Sequence, residues 1–235
     1  MVKNIVIMTG AGISAESGVA TFRDADGVWA KYDYRDVATP EGFAKDPALV
    51  HGFYNARRSG LADAEPNPTH RALAKLEKFL AGNGGSVTLV TQNVDNLHER
   101  AGSKNIYHIH GELAKATCAH CGDVSECDGD LSTEISCREC KRVGGMRPYV
   151  VWFGEVPRFL DEAMDALQTA DLFVSIGTSG AVYPAAGFVA MASDLGIDTL
   201  ELNLEPSENA HIFSETRYGP AGEIVPAWVK SLIGK

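Results

Sequence analysis

Five short runs of apolar, β-branched residues, at 4–8, 86–91, 149–152, 171–176 and 198–203, alternate along the chain with stretches of helical periodicity. The clearest helical stretch is 69–80, where Leu73, Leu76 and Leu80 fall on one face; others lie at 157–168, 184–195 and 223–233. Strand–helix alternation predicts an α/β fold, an open, doubly wound, mainly parallel sheet with helices on both sides. Two segments interrupt it: roughly 20–68, rich in aromatic residues, Asp, Pro and Arg, and 112–148, which holds all five cysteines. The expected division is a main domain of 1–29, 69–111 and 149–235, a helical insertion at 30–68 and a cysteine-bearing module at 112–148, the insertions forming a smaller second domain.

The 235 residues are 45% hydrophobic and 22% charged, an ordinary globular composition, with no repeat or low-complexity tract. No stretch approaches the roughly 18 apolar residues of a membrane helix, which argues against a membrane partner and for a cytoplasmic protein. A net charge of −10 disfavours general attraction to nucleic acid or anionic lipid. Monomer is the default expectation.

Gly10-Ala11-Gly12-Ile13-Ser14-Ala15 follows the first strand and fits G-x-G-x-x-G/A, in which small residues let backbone amides approach a pyrophosphate at a helix start. Alone, the pattern fits a tight turn without ligand equally well. Two later strand ends, Ile176-Gly177-Thr178-Ser179 and Leu202-Asn203-Leu204-Glu205, support a Rossmann-like nucleotide site, because open α/β sheets bind ligands beyond the carboxyl ends of their strands.

Cys118-x2-Cys121 and Cys137-x2-Cys140, with fifteen residues between the pairs, have the spacing of a zinc ribbon. A redox pair or unliganded thiols would not explain two matched pairs. Four protein ligands leave no open position, which assigns the metal to folding. A nucleic-acid-reading finger is disfavoured, since residues 118–140 carry six acids against Arg138 alone. Cys127 reads as a spare thiol, and His120 as a weaker ligand candidate than the four cysteines.

Polar groups cluster after apolar strands at Thr91-Gln92-Asn93-Val94-Asp95-Asn96-Leu97-His98 and at His108-Ile109-His110-Gly111-Glu112. With the glycine loop, the cysteine pairs and Gly177-Thr178-Ser179, these segments stand in the order found in sirtuins, and the chain resembles that family over nearly its whole length. Phe53-Tyr54-Asn55-Ala56-Arg57-Arg58, Val151-Trp152-Phe153-Gly154-Glu155 and Asn203-Leu204-Glu205-Pro206-Ser207 resemble the short bacterial CobB type, of class III.

The resemblance implies NAD-dependent removal of acyl groups from protein lysines, releasing nicotinamide and O-acyl-ADP-ribose. It makes His110 the general base, with Asn93 and Asp95 at the nicotinamide ribose. Gly10, Ala11, Gly12, Ile13, Ser14, Ala15, Gln92 and Val94 would line the cofactor, and Phe22, Arg23 and Trp29 would belong to its covering loop. Gly177, Thr178, Ser179, Asn203, Leu204, Glu205 and Ala221 would border the adenosine half. Ala20 stands where the family commonly has proline, which bears on loop stiffness more than on chemistry.

The acylated-lysine peptide would lie extended beside Val151, Phe153, Gly154 and Glu155, since backbone pairing tolerates many sequences; Val150 and Trp152 would serve the core. On a helix both Arg57 and Arg58 neighbour Tyr54, and spacing cannot separate them. The family's Tyr-x-x-Arg motif selects Arg57, which implies succinyl- and malonyl-lysine besides acetyl-lysine. Rival readings are an NAD-linked dehydrogenase with a structural zinc, a non-catalytic NAD-sensing module, and ADP-ribosyl transfer to protein.

Overall fold

The computed structural model describes residues 2–19 and 32–234. Among them the strands are β1 (Asn4–Thr9), β2 (Ser86–Thr91), β3 (Ile106–His108), β4 (Gly111–Cys118), β5 (Val124–Glu126), β6 (Met146–Val150), β7 (Leu172–Ile176), β8 (Asp198–Asn203) and β9 (Glu215–Tyr218). The helices are α1 (Tyr34–Val37), α2 (Pro40–Lys45), α3 (Pro47–Ala62), α4 (Pro68–Gly82), α5 (Leu97–Ala101), α6 (Leu160–Gln168), α7 (Phe188–Asp194) and α8 (Ala221–Ile233). None is long and apolar enough to cross a membrane.

The main sheet has the order β3-β2-β1-β7-β8-β9 and is parallel throughout. Its central strands are apolar on both faces because both are covered. Ile5 and Ile7 of β1 point to one side, against Leu73, Leu76 and Leu80 of α4 and Val225, Trp228 and Val229 of α8. Val6 and Met8 point to the other, against Ala163 and Leu167 of α6 and Phe188, Val189 and Ala192 of α7. The doubly wound arrangement follows from that alternation.

The smaller part contains α1–α3 and an antiparallel sheet of order β5-β4-β6. Asp33, Thr39 and Asp46 each cap a helix start here, and Pro40 and Pro47 occupy first helical positions. Val50, Phe53 and Tyr54 of α3 pack on Leu113, Val150 and Trp152.

Two boundaries differ from expectation. The strand placed at 149–152 runs instead from Met146 to Val150; Pro148 is tolerated because β6 is an edge, paired only with β4. The helix placed from 157 starts at Leu160, because Phe159 before it adopts a left-handed φ of 54°.

Two histidines are fully buried between α4, α5 and the sheet. His70 Nδ1 accepts the Asn67 amide hydrogen in the α4 capping box, so the ring hydrogen sits on Nε2. Thr9 gives its hydroxyl hydrogen to Thr91, so His98 Nε2 donates to Thr9. The rings meet edge to face at 5.0 Å, and His70 Nε2 and His98 Nδ1 have no partner among the described residues. Burial lowers His70 to about 4 and holds His98 well below its ordinary value.

An unfolded chain takes up these protons near pH 6.5 and the folded chain does not, so stability is complete above about pH 6.5 and is lost as pH falls toward 4. His70 alone accounts for roughly 3 kcal/mol of the loss. His51 and His110 shift the same way, and His108 opposes. Urea midpoints are expected to drop between pH 7 and pH 5, and His70→Gln, which keeps the capping box, should flatten the dependence. An unchanged slope in that variant would remove His70 from the account.

Candidate active site

The glycine loop, the polar clusters and the Gly177 and Asn203 segments all follow carboxyl ends of parallel strands: β1, β2, β3, β7 and β8. Between β1 and β7 the strand order reverses direction, the place where an open sheet forms a ligand crevice. There the loops leaving the two strands cross. Gly12 N–H donates to the Gly177 carbonyl at 2.9 Å, and a Cβ on Gly12 would lie 2.8 Å from Gly177 Cα. Gly177 itself has φ 62°, which glycine adopts without strain. The crossing therefore needs glycine on both sides.

No regular α-helix follows this loop directly. The chain makes two 3-10 turns, Ala11–Ile13 and Ala15–Ser17, and leaves through left-handed Gly18. Ala11 is half-buried and Ala15 exposed, whereas Ile13 is buried in the core with its carbonyl accepting from Asn67.

Ser14 ties the loop to the segment after β2. Its Oγ donates to Asp95 Oδ2 at 2.9 Å and accepts from Asn93 Nδ2 at 3.0 Å. Asp95 Oδ1 accepts the Leu97 amide. Burial raises the Asp95 carboxyl above its ordinary range, while the Leu97 and Ser14 hydrogen bonds hold it down in part. Gln92 is half-buried and lines a small cavity with Thr178 and Gly180; Val94 offers its carbonyl to the Leu113 amide.

The end of β3 and the turn after it hold two histidines against that segment. His110 Nδ1 lies 3.0 Å from the Gln92 carbonyl, which can only accept, so Nδ1 carries the hydrogen and Nε2 a lone pair. Burial lowers the His110 pKa against the smaller opposing effect of that bond, so the ring is neutral at pH 7. Gly111, at φ 80°, is required next to it, because a Cβ there would strike the Tyr149 carbonyl. His108 donates Nδ1–H to the Asn93 carbonyl at 3.0 Å and meets Glu99 at 2.7 Å through Nε2. Despite burial, which lowers it, the Glu99 bond and charge raise its pKa, favouring the doubly protonated ring. Sequence reading gave His108 no role; its signal was the spacing of two from His110, either side of buried Ile109.

On the other side of the crevice, Asn203 Nδ2 donates to the Thr178 carbonyl at 2.7 Å, and Ser179 is half-buried. Leu204 and Glu205 are exposed, and Ala221 opens α8, whose Gly222 amide donates to Glu16 of the glycine loop. Phe22, Arg23 and Trp29, with Ala20, lie outside the described residues.

Tyr54 and Arg57 share a face of α3, the Arg57 guanidinium 5.9 Å from the Tyr54 ring centroid. Arg58 is committed elsewhere, donating to the carbonyls of Leu113 and Gly129 and to Asn55. Val151 donates its amide to the His110 carbonyl, but the extended backbone stops there. Trp152 is buried, and Glu155 N–H returns to the Trp152 carbonyl through Gly154 at φ 89°. Phe153 is exposed, its amide bonded to the Ala38 carbonyl. Both Glu155 oxygens accept from Arg147, at 2.6 and 2.9 Å.

The sulfurs of Cys118, Cys121, Cys137 and Cys140 all lie within 4.8 Å of one another, with Cys118–Cys140 and Cys121–Cys137 at 3.7 Å. Four thiolates bound tetrahedrally at about 2.3 Å would stand about 3.8 Å apart, so the set fits zinc. Cys127 instead donates to the Gly129 carbonyl, and His120 is exposed.

Comparison with known proteins agrees with this geometry. The Sir2 family model matches residues 10–184. An NAD-dependent protein deacylase of Caulobacter vibrioides is 59% identical, covering 100% of this chain and 98% of its own. One from Escherichia coli strain K12 is 54% identical over 97% of this chain and 82% of its own. A Sir2 homologue solved as an NAD complex superposes with a TM-score of 0.88 at 38% identity, over 99% of this chain and 91% of the other. A variant Sir2 homologue bound to ADP-ribose gives a TM-score of 0.90 at 38% identity, over 98% and 92%. The glycine crossing, the neutral histidine on the Gln92 carbonyl, the hydrogen-bonded Ser14, Asn93 and Asp95 and the four-cysteine cluster thus stand in a chain that belongs to the Sir2 family.

Proposed function

We propose that this chain is an NAD-dependent protein-lysine deacylase with His110 as its general base. The observation that carries the reading is the His110 ring, neutral and hydrogen-bonded through Nδ1 to Gln92, with Nε2 left to take a proton. The proposed division is a main domain of 1–29, 69–111 and 149–235, a helical acyl-pocket insertion at 30–68 and a zinc module at 112–148. The enzyme is proposed to be a cytoplasmic monomer whose partners are acylated proteins; its charge of −10 speaks against direct nucleic-acid binding.

NAD supplies, when bound, a ribose carbon whose bond to nicotinamide breaks and an ADP-ribose that takes the acyl group. The residues that would hold it are Gly10, Ala11, Gly12, Ile13, Ser14 and Ala15 with Phe22, Arg23 and Trp29, then Gln92, Asn93, Val94 and Asp95. Gly177, Thr178, Ser179, Asn203, Leu204, Glu205 and Ala221 would hold the adenosine half. His110 Nε2 would accept a ribose hydroxyl proton, for which a neutral ring with a lowered pKa is suited. Asn93 and Asp95, pinned through Ser14, orient the polar groups of that ribose. The substrate peptide docks along Val151, Phe153, Gly154 and Glu155. Zinc on Cys118, Cys121, Cys137 and Cys140 has no open position and serves folding.

Tyr54 and Arg57 are proposed to receive a succinyl or malonyl carboxylate. The commitment of Arg58 to the backbone of the zinc module supports Arg57 as the gripping residue. Arg57→Met is expected to lower kcat/KM for succinyl-lysine peptide by about ten- to a hundredfold, the weight of charge-assisted hydrogen bonds, and to affect acetyl-lysine far less. The test is mass spectrometry of paired acetyl and succinyl peptides with and without NAD, following nicotinamide. Acyl loss only with NAD, with nicotinamide released, is expected; NADH formation, mass added to the target, or unchanged peptides and NAD would each sink the reading.

A further inference from the structure

We infer that Trp152 is a positioning residue for acyl choice: its indole N–H fixes the Tyr54 hydroxyl so that this phenol, beside Arg57, meets a carboxylate-ended acyl chain. The inference rests on the proposed acyl pocket and goes beyond it, to the residue that orients the pocket. The carrying observation is the hydrogen bond from Trp152 Nε1 to Tyr54 Oη, 3.0 Å long and buried.

The indole is held from several directions. The Arg147 guanidinium lies 3.4 Å from its ring centroid, and Phe43 packs against it at 5.2 Å. Arg147 is itself fixed by two bonds to Glu155 and one to the Val150 carbonyl. Glu155 Oε2 also accepts the Trp152 backbone N–H, so the turn and the ring lock together. One residue earlier, Val151 is bonded to the His110 carbonyl. A continuous chain of contacts therefore runs from the turn beside the base to the phenol on α3.

The chemistry follows from what a phenol oxygen can do. By accepting from Trp152, Tyr54 spends a lone pair and keeps its own hydrogen for an acceptor. Burial, opposed by Arg57 and the Trp152 bond, raises Tyr54 to about 12, so that hydrogen is present throughout the working pH range. A succinyl or malonyl chain ends in an acceptor that the Tyr54 O–H and the Arg57 guanidinium can share. An acetyl group has no such end, and its turnover should not sense where the Tyr54 hydrogen points.

The experiment compares wild type, Trp152→Phe, Tyr54→Phe and the double variant on acetyl- and succinyl-lysine peptides. Trp152→Phe is expected to raise the succinyl KM about five- to tenfold, the value of one buried hydrogen bond, and to change the acetyl kcat and KM far less. In the Tyr54→Phe background the same substitution is expected to add nothing. Equal losses on both peptides, or a full Trp152→Phe effect without the Tyr54 hydroxyl, would overturn the inference by reducing Trp152 to a packing residue.

A second measurement does not depend on how that variant folds. The chain has three tryptophans, so wild type gives three indole N–H signals in a nitrogen-15 spectrum. Titration with succinyl peptide should move the Trp152 signal further than acetyl peptide does; equal movement with both would overturn the proposal. Absence of any succinyl turnover in wild type would instead sink the Tyr54–Arg57 reading itself.

Discussion

His110→Ala is expected to keep the fold and lose roughly a thousandfold in kcat, within the range that a positioned general base contributes. The side chain makes one described hydrogen bond, to the Gln92 carbonyl, and is half-buried at the end of a turn, so truncation removes little packing. Circular dichroism should match wild type while nicotinamide release coupled to acyl loss collapses. The pH profile supplies a second readout. Only neutral His110 can accept a proton, and burial places its pKa below the ordinary 6.5. Wild-type activity should therefore be flat near pH 7 and fall on an acid limb lying below pH 6.5, and the residual activity of the variant should lack that limb. A variant with wild-type turnover, or one with the same acid limb, would remove His110 from the role.

The second large effect is at the cysteines. Cys137→Ser is expected to abolish zinc retention, lower the melting temperature sharply and reduce deacylation at least tenfold. The module's core cluster of buried residues is Ala116, Cys118, Cys127, Leu131, Cys137 and Met146, of which two are proposed metal ligands. So small a core cannot hold the segment by burial alone, and the metal term, on the order of 10 kcal/mol in comparable peptides, supplies most of its order. Loss of order would reach the chemistry along one strand: β4 begins at Gly111, next to His110, the proposed base, and ends at Cys118, a proposed ligand. Elemental analysis, calorimetry and turnover assays on Cys137→Ser, with Cys127→Ser as the control that keeps its zinc, make the comparison. One zinc per chain and an unchanged melting temperature in Cys137→Ser would refute the assignment.

Periodicity carried the main sheet well because its strands are apolar on both faces and its helices present clean stripes: 86–91 and 198–203 coincide with β2 and β8, and 69–80 lies inside α4. It misplaced β6 because Pro148 mimics a break, and tolerance for proline depends on edge position, which is a property of the sheet. The helix start that the glycine pattern implies is met, through Ser17, by 3-10 turns, with Ile13 drawn into the core. In the candidate site the backbone-defined features were readable: glycines where chains cross, and paired cysteines at ribbon spacing. Spacing alone did not separate Arg57 from Arg58, because both neighbour Tyr54; the family motif selected Arg57, and Arg58 is found bonded to the carbonyls of Leu113 and Gly129. The Trp152–Tyr54 bond joins residues 98 positions apart and leaves no local trace.

The place of β1 in the middle of the sheet has a consequence for how the protein is made. Its neighbours are β2 and β7, so half of its hydrogen-bonding edge stays open until residues 172–176 have left the ribosome. The floor of the crevice is closed by Gly177 and braced by Asn203, so a nascent chain carries its glycine loop, His110 and cysteines for most of synthesis without a site in which to use them. Such non-local pairing folds slowly and exposes apolar strand meanwhile. Catalytic competence should accordingly arrive in one step late in elongation, and fragments ending before β7 should be held by chaperones or degraded rather than accumulate as partial enzymes.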